Sequence, residues 1–152
     1  MDEHEHGGIG KAAALELGGA GGTVILVARG EEKLQEAAAE VAELGGTAHV
    51  HPCDLTDYAA IDALVADVLA AHGHVDILVN NAGRSIRRSL ALSYDRFHDF
   101  ERTMQLNYFA ALRLMLGLLP QMRERGYGHV VNISSLFGLL SVPSQSAYNA
   151  AK

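Results

Sequence analysis

The stretch VDILVNNAG, residues 75–83, decides the fold. Its first five residues, Val75–Val79, are mostly apolar and β-branched, which predicts a strand buried inside a sheet. Asn80–Gly83, which are polar or small, follow at the carboxyl end of that strand. Parallel sheets covered by helices on both faces bind ligands at such strand ends. We therefore expect a parallel sheet with a binding loop after this strand.

Strands and helices alternate on both sides of this stretch. Three further apolar runs predict strands, at Thr23–Ala28, Thr47–His51 and Val130–Ile133. Helical stripes and breakers predict helices at Lys11–Leu17, Glu31–Leu44, Asp57–Gly73 with Asp57 as cap, and Tyr94–Leu119. A turn over Pro120–Gly128 with a helical fragment at Gln121–Arg125 follows, and the last helix carries Tyr148 and Lys152. This order predicts an α/β fold with a doubly wound parallel sheet. The 152 residues suit a single domain, residues 1–152.

The predicted strands share one property: each ends in polar residues. Arg29, Asp54, Asn80–Gly83 and Ser134–Ser135 follow four separate strands. Since the carboxyl ends of parallel strands meet at one edge of a sheet, we expect these residues to form one site.

The composition limits the classes of function. A net charge of −6 disfavours nucleic acid and anionic membranes as partners, because phosphate binding needs a basic face. The longest apolar stretch, Ala110–Leu119, is too short to cross a bilayer, so no membrane span is predicted. Cys53 is the single cysteine, which excludes an internal disulfide and favours a reducing, cytoplasmic setting.

No metal site is predicted. Three histidine pairs have i, i+2 spacing: His4/His6, His49/His51 and His72/His74. No carboxylate or thiolate set completes a coordination shell around them, so we interpret them as surface residues.

The last predicted helix carries candidate catalytic residues. Tyr148 and Lys152 are four residues apart and share one face of a helix. An ammonium beside a phenol favours the phenolate, which makes a tyrosine an acid-base catalyst. Ser135 adds a hydroxyl that can hold a carbonyl or alkoxide oxygen. Taken alone, the tyrosine and lysine pattern is more often a solvated pair on a helix surface.

A glycine-rich segment, Gly7–Gly10, opens the alanine-rich helix that follows it. Glycines in such a turn let a phosphate approach the free N–H groups of a helix N-terminus. A dinucleotide-binding turn follows a buried strand, however, and only six mostly polar residues precede these glycines. A flexible glycine-rich terminus is the alternative.

Together these residues resemble the short-chain dehydrogenase/reductase family, which are nicotinamide-dependent oxidoreductases with a Rossmann fold. The matching pieces occur in the order and spacing of the family: Gly8-Ile9-Gly10, Asp54-Leu55, Asn80-Asn81-Ala82-Gly83, Asn107, Ser135, and Tyr148 with Lys152. The resemblance covers nearly the whole chain. It implies a Rossmann-like sheet and hydride exchange between a nicotinamide and a carbonyl or alcohol.

The resemblance also implies catalytic roles. Tyr148 exchanges a proton with the substrate oxygen, and Ser135 positions that oxygen. Lys152 supports the phenolate of Tyr148 and hydrogen-bonds the nicotinamide ribose. Asn107 holds a water that links Lys152 to solvent; the alternative is a buried asparagine satisfied by neighbouring backbone.

The cofactor-binding residues implied by the resemblance are Gly8, Ile9, Gly10, Arg29, Asp54, Leu55, Asn80, Asn81, Ala82 and Gly83, together with Tyr148 and Lys152. Asn80 and Gly83 support the adenosine ribose and the sheet beneath it. Asp54 accepts a hydrogen bond from the adenine amine or, alternatively, caps the following helix.

Arg29 bears on the choice of cofactor. Enzymes that prefer NAD usually carry a carboxylate at the end of the second strand, where this chain has Ala28 followed by Arg29. A guanidinium suits the 2′-phosphate, so we predict NADP(H) over NAD(H). A solvated arginine is the alternative.

Two segments, Gly83–Ser89 and Ser93–Phe97, resemble the reductase module of bacterial fatty acyl-CoA reductases. The three arginines of the first segment are candidates for coenzyme A phosphates, or simply residues of a solvated loop.

The chain departs from the family pattern at both ends. Glu3 and His4 occupy the places of the threonine and first glycine of the family turn, no strand precedes them, and the sequence stops at Lys152. We therefore expect an incomplete fold that lacks the first strand and the C-terminal strands, and a polypeptide that is poorly folded and inactive alone.

Two further expectations concern partners and function. The resemblance favours a homodimer or homotetramer built through the long helix Tyr94–Leu119 and the Tyr148 helix. A Rossmann-type nucleotide-binding or interaction module without turnover is the alternative to an enzyme, although a pure binder would not need the catalytic set.

Overall fold

The computed structural model describes residues 7–152, and these form two compact units that divide after Asp54: residues 7–54 and residues 55–152. The expectations for Glu3, His4, the His4/His6 pair and a strand ahead of the glycines lie outside the described residues. The prediction of a single domain over residues 1–152 stays a prediction. Within residues 7–152, no helix combines the length and apolar character needed to cross a membrane.

The first unit is a βαβ arrangement preceded by a helix. Its elements are α1 (Gly7–Gly19), β1 (Thr23–Ala28), α2 (Glu31–Glu43) and β2 (Thr47–Pro52). The strands are parallel, with Thr23 opposite Thr47. α1 packs closely on α2 because Gly18 has no side chain: a Cβ there would lie 2.5 Å from Cγ1 of Val41, which is fully buried.

The glycines of the first unit differ from the prediction. Gly8 and Gly10 lie inside the first turn of α1, which begins at Gly7, and do not form a separate turn. The first N–H groups of a helix need no intrahelical partner, and the alanine-rich sequence that follows favours the helix. The helical stretch therefore extends back through the glycines.

The second unit contains the remaining elements. They are α3 (Tyr58–His72), β3 (Ile77–Asn80), a 3₁₀ turn (Leu90–Leu92), α4 (Phe97–Met104), a π-helical turn (Gln105–Phe109), α5 (Ala110–Arg125), β4 (His129–Asn132), a second 3₁₀ turn (Leu136–Gly138) and α6 (Ser146–Ala151). β3 and β4 are parallel, with Ile77 opposite His129. Asp57 caps α3 as predicted, since its carboxylate accepts from the N–H groups of Ala59 and Ala60.

The sequence predicted that the long helix ends before Pro120, and this prediction is wrong. Pro120 lies inside α5, which continues to Arg125 and stops at Gly126, where φ is 68°. A proline inside a helix removes one backbone hydrogen bond. Leu118 and Met122 flank Pro120 and are both buried, so their packing outweighs that loss.

The α/β class with parallel strands and intervening helices is confirmed. The expected single sheet, however, consists of two parallel pairs: β1 bonds to β2 and β3 to β4. Within residues 7–152, no strand ladder joins the two pairs, and each strand is bonded along one edge only.

Candidate active site

The carboxyl end of β3 presents the predicted NNAG segment. The Nδ2 of Asn80 donates to Oδ1 of Asn132 on β4 at 2.8 Å, and the carbonyl of Asn80 accepts from the N–H of Ile133 at 2.9 Å. The other side-chain atom of Asn80, Oδ1, is buried and has no hydrogen-bond partner among the described residues. Asn80 therefore joins the two strand ends and keeps one acceptor unused.

Asn107 lies in the π-helical turn and is buried. Its side chain makes two hydrogen bonds with the backbone of Arg84: Oδ1 accepts from the N–H at 2.8 Å and Nδ2 donates to the carbonyl at 2.9 Å. These contacts agree with the alternative interpretation of an asparagine satisfied by backbone. The role as a water relay stays a prediction.

The side chains of Lys152 and Asn107 both lie close to Gly83. A Cβ built on Gly83 would lie 3.2 Å from Nζ of Lys152 and 3.2 Å from Oδ1 of Asn107, so both polar atoms border the same glycine. The Nζ also donates to the carbonyl of Ile133 at 2.9 Å. Burial lowers the pKa of Lys152 below the ordinary value of a lysine. Within residues 7–152, no side-chain carboxylate forms an ion pair with this ammonium.

Ser135 is connected to α6 through the 3₁₀ turn that follows it. Its Oγ accepts from the N–H of Phe137 at 3.3 Å, and the Phe137 ring meets the Tyr148 ring edge to face at 6.5 Å between centroids. Gly138 approaches the end of α6 so closely that a Cβ there would lie 2.7 Å from the carbonyl carbon of Lys152. The turn after Ser135 therefore rests on α6 near both Tyr148 and Lys152.

Tyr148 lies in α6, and Lys152, one turn later, is the C-cap residue that follows this helix. The N–H of Lys152 donates to the carbonyl of Tyr148 at 3.1 Å, which is the i to i+4 bond of a helix. Both side chains are partly exposed.

The remaining predicted cofactor residues fall in both units. In the first unit, Gly8 and Ile9 are exposed in the first turn of α1 and Gly10 is partly buried. Arg29 and Asp54 are exposed after β1 and β2. The structure assigns the cap of α3 to Asp57, so the helix-capping alternative for Asp54 is wrong.

In the second unit, Leu55 is buried, while Asn81 is partly exposed and Ala82 exposed. The second unit thus brings together Asn80, Gly83, Asn107 and Lys152. Within residues 7–152, no group of three metal-ligating side chains is present.

The sequence interpretation missed a buried aspartate that is paired with arginines beside this site. Asp99, in the first turn of α4, is 7% exposed and accepts from Nε of Arg88 at 3.1 Å and Nε of Arg96 at 3.0 Å. Gln145, which precedes α6, is also buried. The available signal was weak: an acidic residue in a helical first turn with arginines nearby, which is also typical of a solvated surface.

The second unit combines an α/β arrangement with a tyrosine and a lysine one helical turn apart and with a polar strand end. These features together indicate the class of protein. The chain belongs to the short-chain dehydrogenase family, since residues 5–152 match the family described as short chain dehydrogenase. The predicted family and the predicted Rossmann-like class are thereby confirmed.

The chain is similar to named members of that family. A fatty acyl-CoA reductase from Acinetobacter baylyi is 54% identical over 145 residues, which are 95% of this chain and 49% of that protein. A metagenomic short-chain oxidoreductase, solved in complex with NADP, superposes with a TM-score of 0.91 at 39% identity and covers 95% of this chain and 65% of its own. An NAD⁺-bound xylitol dehydrogenase superposes with a TM-score of 0.88 at 33% identity, over 95% and 55% of the two chains.

The chain spans about half the length of the curated relatives it matches, 43% of one and 49% of another. The two solved structures hold NADP and NAD⁺ respectively, so a nicotinamide dinucleotide is common to both while the 2′-phosphate is not. The resemblance to fatty acyl-CoA reductases is confirmed at the level of sequence identity.

Proposed function

We propose that this chain carries the catalytic part of an NADP(H)-dependent oxidoreductase that interconverts a carbonyl and an alcohol. The observation that carries the proposal is the convergence of Nζ of Lys152 and Oδ1 of Asn107 on Gly83, at the carboxyl end of β3. A partly buried ammonium without a carboxylate partner is costly, and such groups concentrate at functional sites.

The residues at this point suit a dinucleotide. An ammonium has three N–H donors, and the structure assigns one of them to the carbonyl of Ile133, which leaves donors for ribose hydroxyls. Gly83 has no side chain, which lets Nζ of Lys152 and Oδ1 of Asn107 approach the strand end. When bound, the nicotinamide supplies or accepts the hydride. Lys152 and Asn80–Gly83 would hold the cofactor in the second unit, with Leu55 at its adenine.

Tyr148 is the proposed proton donor and acceptor. Its phenol donates a proton to the substrate oxygen in reduction and removes one from the alcohol in oxidation, and Lys152 follows it by one helical turn. Ser135 holds the substrate oxygen through its hydroxyl and stabilises the charge that develops there. The contact between Phe137 and Tyr148 supports this assignment, because it fixes the turn after Ser135 on the tyrosine ring.

The first unit contributes the remaining cofactor residues. Gly8, Ile9 and Gly10 lie at the N-terminus of α1, where free N–H groups attract phosphates. Asp54 would accept from the adenine amine. Arg29 is exposed and, within residues 7–152, makes no ion pair, so its guanidinium is available for a 2′-phosphate. We infer a preference for NADP(H) from this residue.

The proposal extends to the substrate, the assembly and the compartment. The name of the Acinetobacter relative brings fatty acyl-CoA substrates, and aldehydes of similar chain length, into the panel to be tested. Exposed apolar side chains on α5 and the π-helical turn, such as Leu116 and Phe109, support a homodimer or homotetramer. The cytoplasmic location stays a proposal.

This experiment and the later ones use a protein in which the chain is extended to the length of its curated relatives, because the chain alone is expected to be inactive. That protein is compared with Tyr148→Phe, which removes one hydroxyl and keeps the ring that Phe137 contacts. NADPH oxidation is followed at fixed pH against a panel of aldehydes, ketones and fatty acyl-CoA thioesters. We expect kcat to fall about 10²- to 10⁴-fold with NADPH affinity retained, since a general acid contributes that much. A Tyr148→Phe variant that keeps the parent rate would overturn the assignment of the proton donor.

A further inference from the structure

Asp99 forms a buried charge cluster beside the candidate site. Its carboxylate is almost enclosed, and Oδ2 accepts from Nε of both Arg88 and Arg96, while the imidazole of His98 lies 3.3 Å from Oδ1. The hydrogen bond from Arg96 contributes most to lowering the pKa of Asp99 below its ordinary value. A carboxylate shared by two guanidiniums fixes the elements that supply them. Here these are the start of α4 and the loop after Gly83.

The loop held by Asp99 is fastened in turn to the segment that precedes α6. The N–H of Arg88 donates to the carbonyl of Ser144 at 2.8 Å, and the Oγ of Ser85 donates to Oε1 of Gln145 at 3.1 Å. Gln145 is 4% exposed and is the N-cap residue of α6. Two hydrogen bonds therefore connect the loop to the residues at which α6 begins.

Ser144 shows that this connection constrains the backbone. Its φ is 67°, in the left-handed region that residues other than glycine rarely adopt. Such a conformation persists only where surrounding contacts impose it, and the bond from Arg88 to the Ser144 carbonyl is one of them. The cavity between the loop, α4 and Ser144 is about 10 Å³, roughly the space for one water molecule, so the junction has little freedom to shift.

We propose that Asp99 is a positioning residue. Through Arg88 it holds the loop after Gly83 against Ser144, and Ser85 of the same loop holds Gln145, so that Asp99 sets where α6 begins and where Tyr148 and Lys152 lie. Asp99 does not touch the reacting atoms and acts only through this chain of contacts. The catalytic meaning of the placement rests on the proposed function, while the mechanical link from Asp99 to α6 does not.

The mechanical link is tested by hydrogen exchange of the protein and two variants. Asp99→Asn removes the charge with almost no change in shape. Asp62→Asn is the matched control, because it breaks another aspartate–arginine pair of the same unit, with Arg113, on an exposed surface. We expect Asp99→Asn to speed exchange about 10-fold in residues 84–93 and also in residues 144–152, and Asp62→Asn to change neither segment.

Two exchange results would overturn the link. In the first, residues 84–93 loosen while residues 144–152 keep their protection, so that Asp99 fixes only its own loop. In the second, Asp62→Asn loosens residues 144–152 as much as Asp99→Asn, so that the effect is general destabilisation.

Kinetics test the consequence for catalysis, with Asp99→Glu as the conservative variant. We expect kcat of Asp99→Asn to fall about 10- to 100-fold with KM for NADPH within about twofold, because small misplacements of catalytic groups act on the chemical step. Asp99→Glu should recover most of the rate, and Asp62→Asn should retain all of it. Equal losses in kcat per folded molecule for Asp62→Asn and Asp99→Asn would contradict the proposal, as would no recovery with Asp99→Glu. If Tyr148→Phe keeps full activity, the proposed function fails while the exchange result stands by itself.

Discussion

Replacing Gly83 by alanine tests whether the meeting of Lys152 and Asn107 matters. The added Cβ would lie 3.2 Å from Nζ of Lys152 and 3.2 Å from Oδ1 of Asn107. Both atoms are held on their other sides, Nζ by the carbonyl of Ile133 at 2.9 Å and Oδ1 by the N–H of Arg84 at 2.8 Å. An ordinary contact is about 3.5 Å, so each atom must move by about 0.3 Å. Hydrogen bonds lengthened by that amount reach about 3.2 Å and survive in weakened form.

Gly83→Ala is expected to lose a little stability and more of the catalytic rate. Crowding costs about 1 to 2 kcal/mol, and the alanine recovers about 0.4 to 1 kcal/mol by restricting the unfolded chain. We therefore expect the free energy of unfolding of Gly83→Ala to fall by about 1 kcal/mol in urea titrations. The rate kcat should fall about 10-fold, because the ammonium moves relative to Tyr148.

Gly30→Ala is the matched control for this substitution. Gly30 has no atom within 4 Å of an added Cβ, and its φ of −87° is open to any residue. Its unfolding free energy should change by less than about 0.5 kcal/mol, since the gain in the unfolded state offsets a weaker N-cap, and kcat should be unchanged. If Gly83→Ala matched Gly30→Ala in both stability and rate, the crowding argument would be refuted.

Three further predictions follow from single residues. The pKa of Lys152 is lowered by burial, so the unfolded chain binds the extra proton between the lowered value and the ordinary 10.5. The unfolding free energy of the protein minus that of Lys152→Met should therefore rise as pH increases through this window, and a flat or falling difference would contradict it. Gly8→Ala should raise the unfolding free energy by about 0.5 to 1 kcal/mol, because Gly8 is helical with open space around it. The same substitution should lower the affinity for NADPH in fluorescence titration, and an unchanged affinity would leave these glycines without a cofactor role. Arg29→Ala should raise KM for NADPH about 10-fold and leave KM for NADH unchanged, and an equal change in both would remove Arg29 as the selector.

Elements with a strong local pattern were predictable from the sequence. The stripe predicted on α3 was Ile61, Leu64, Val65, Val68 and Leu69; the first, second and fourth of these are buried, and the other two are partly buried. The stripe predicted on α2 was Leu34, Ala38, Val41 and Leu44. Leu34 and Val41 are buried and Ala38 is partly buried, but Leu44 is 56% exposed. Leu44 is the C-cap residue of α2, so the helical geometry that would turn it inward has already ended there. Periodicity thus predicts burial only while the helix persists.

The candidate site was predictable where one helix carries it and unpredictable where distant segments meet. Tyr148 and Lys152 are related by the helical repeat, which the sequence shows directly. The Arg88–Asp99 pair joins two segments eleven residues apart, and the bond from Arg88 to Ser144 spans the fold of the unit. No local propensity distinguishes Arg88 from its neighbours in a basic loop, so only tertiary contacts identify it.

The π-helical turn that contains Asn107 could not be predicted from the sequence either. Buried positions continue without a break through it, from Asp99 and Thr103 on α4 to Asn107 and then Ala110 on α5. A sequence with this spacing predicts an uninterrupted α-helix, because regularly spaced buried positions contain no signal for one wider turn. Within the turn, Gln105 donates to the carbonyl of Thr56, while Asn107 bonds both backbone groups of Arg84. The wider turn accommodates both anchors at once, and since π-turns cost hydrogen-bond geometry, these tertiary bonds are the physical reason that it persists next to Lys152.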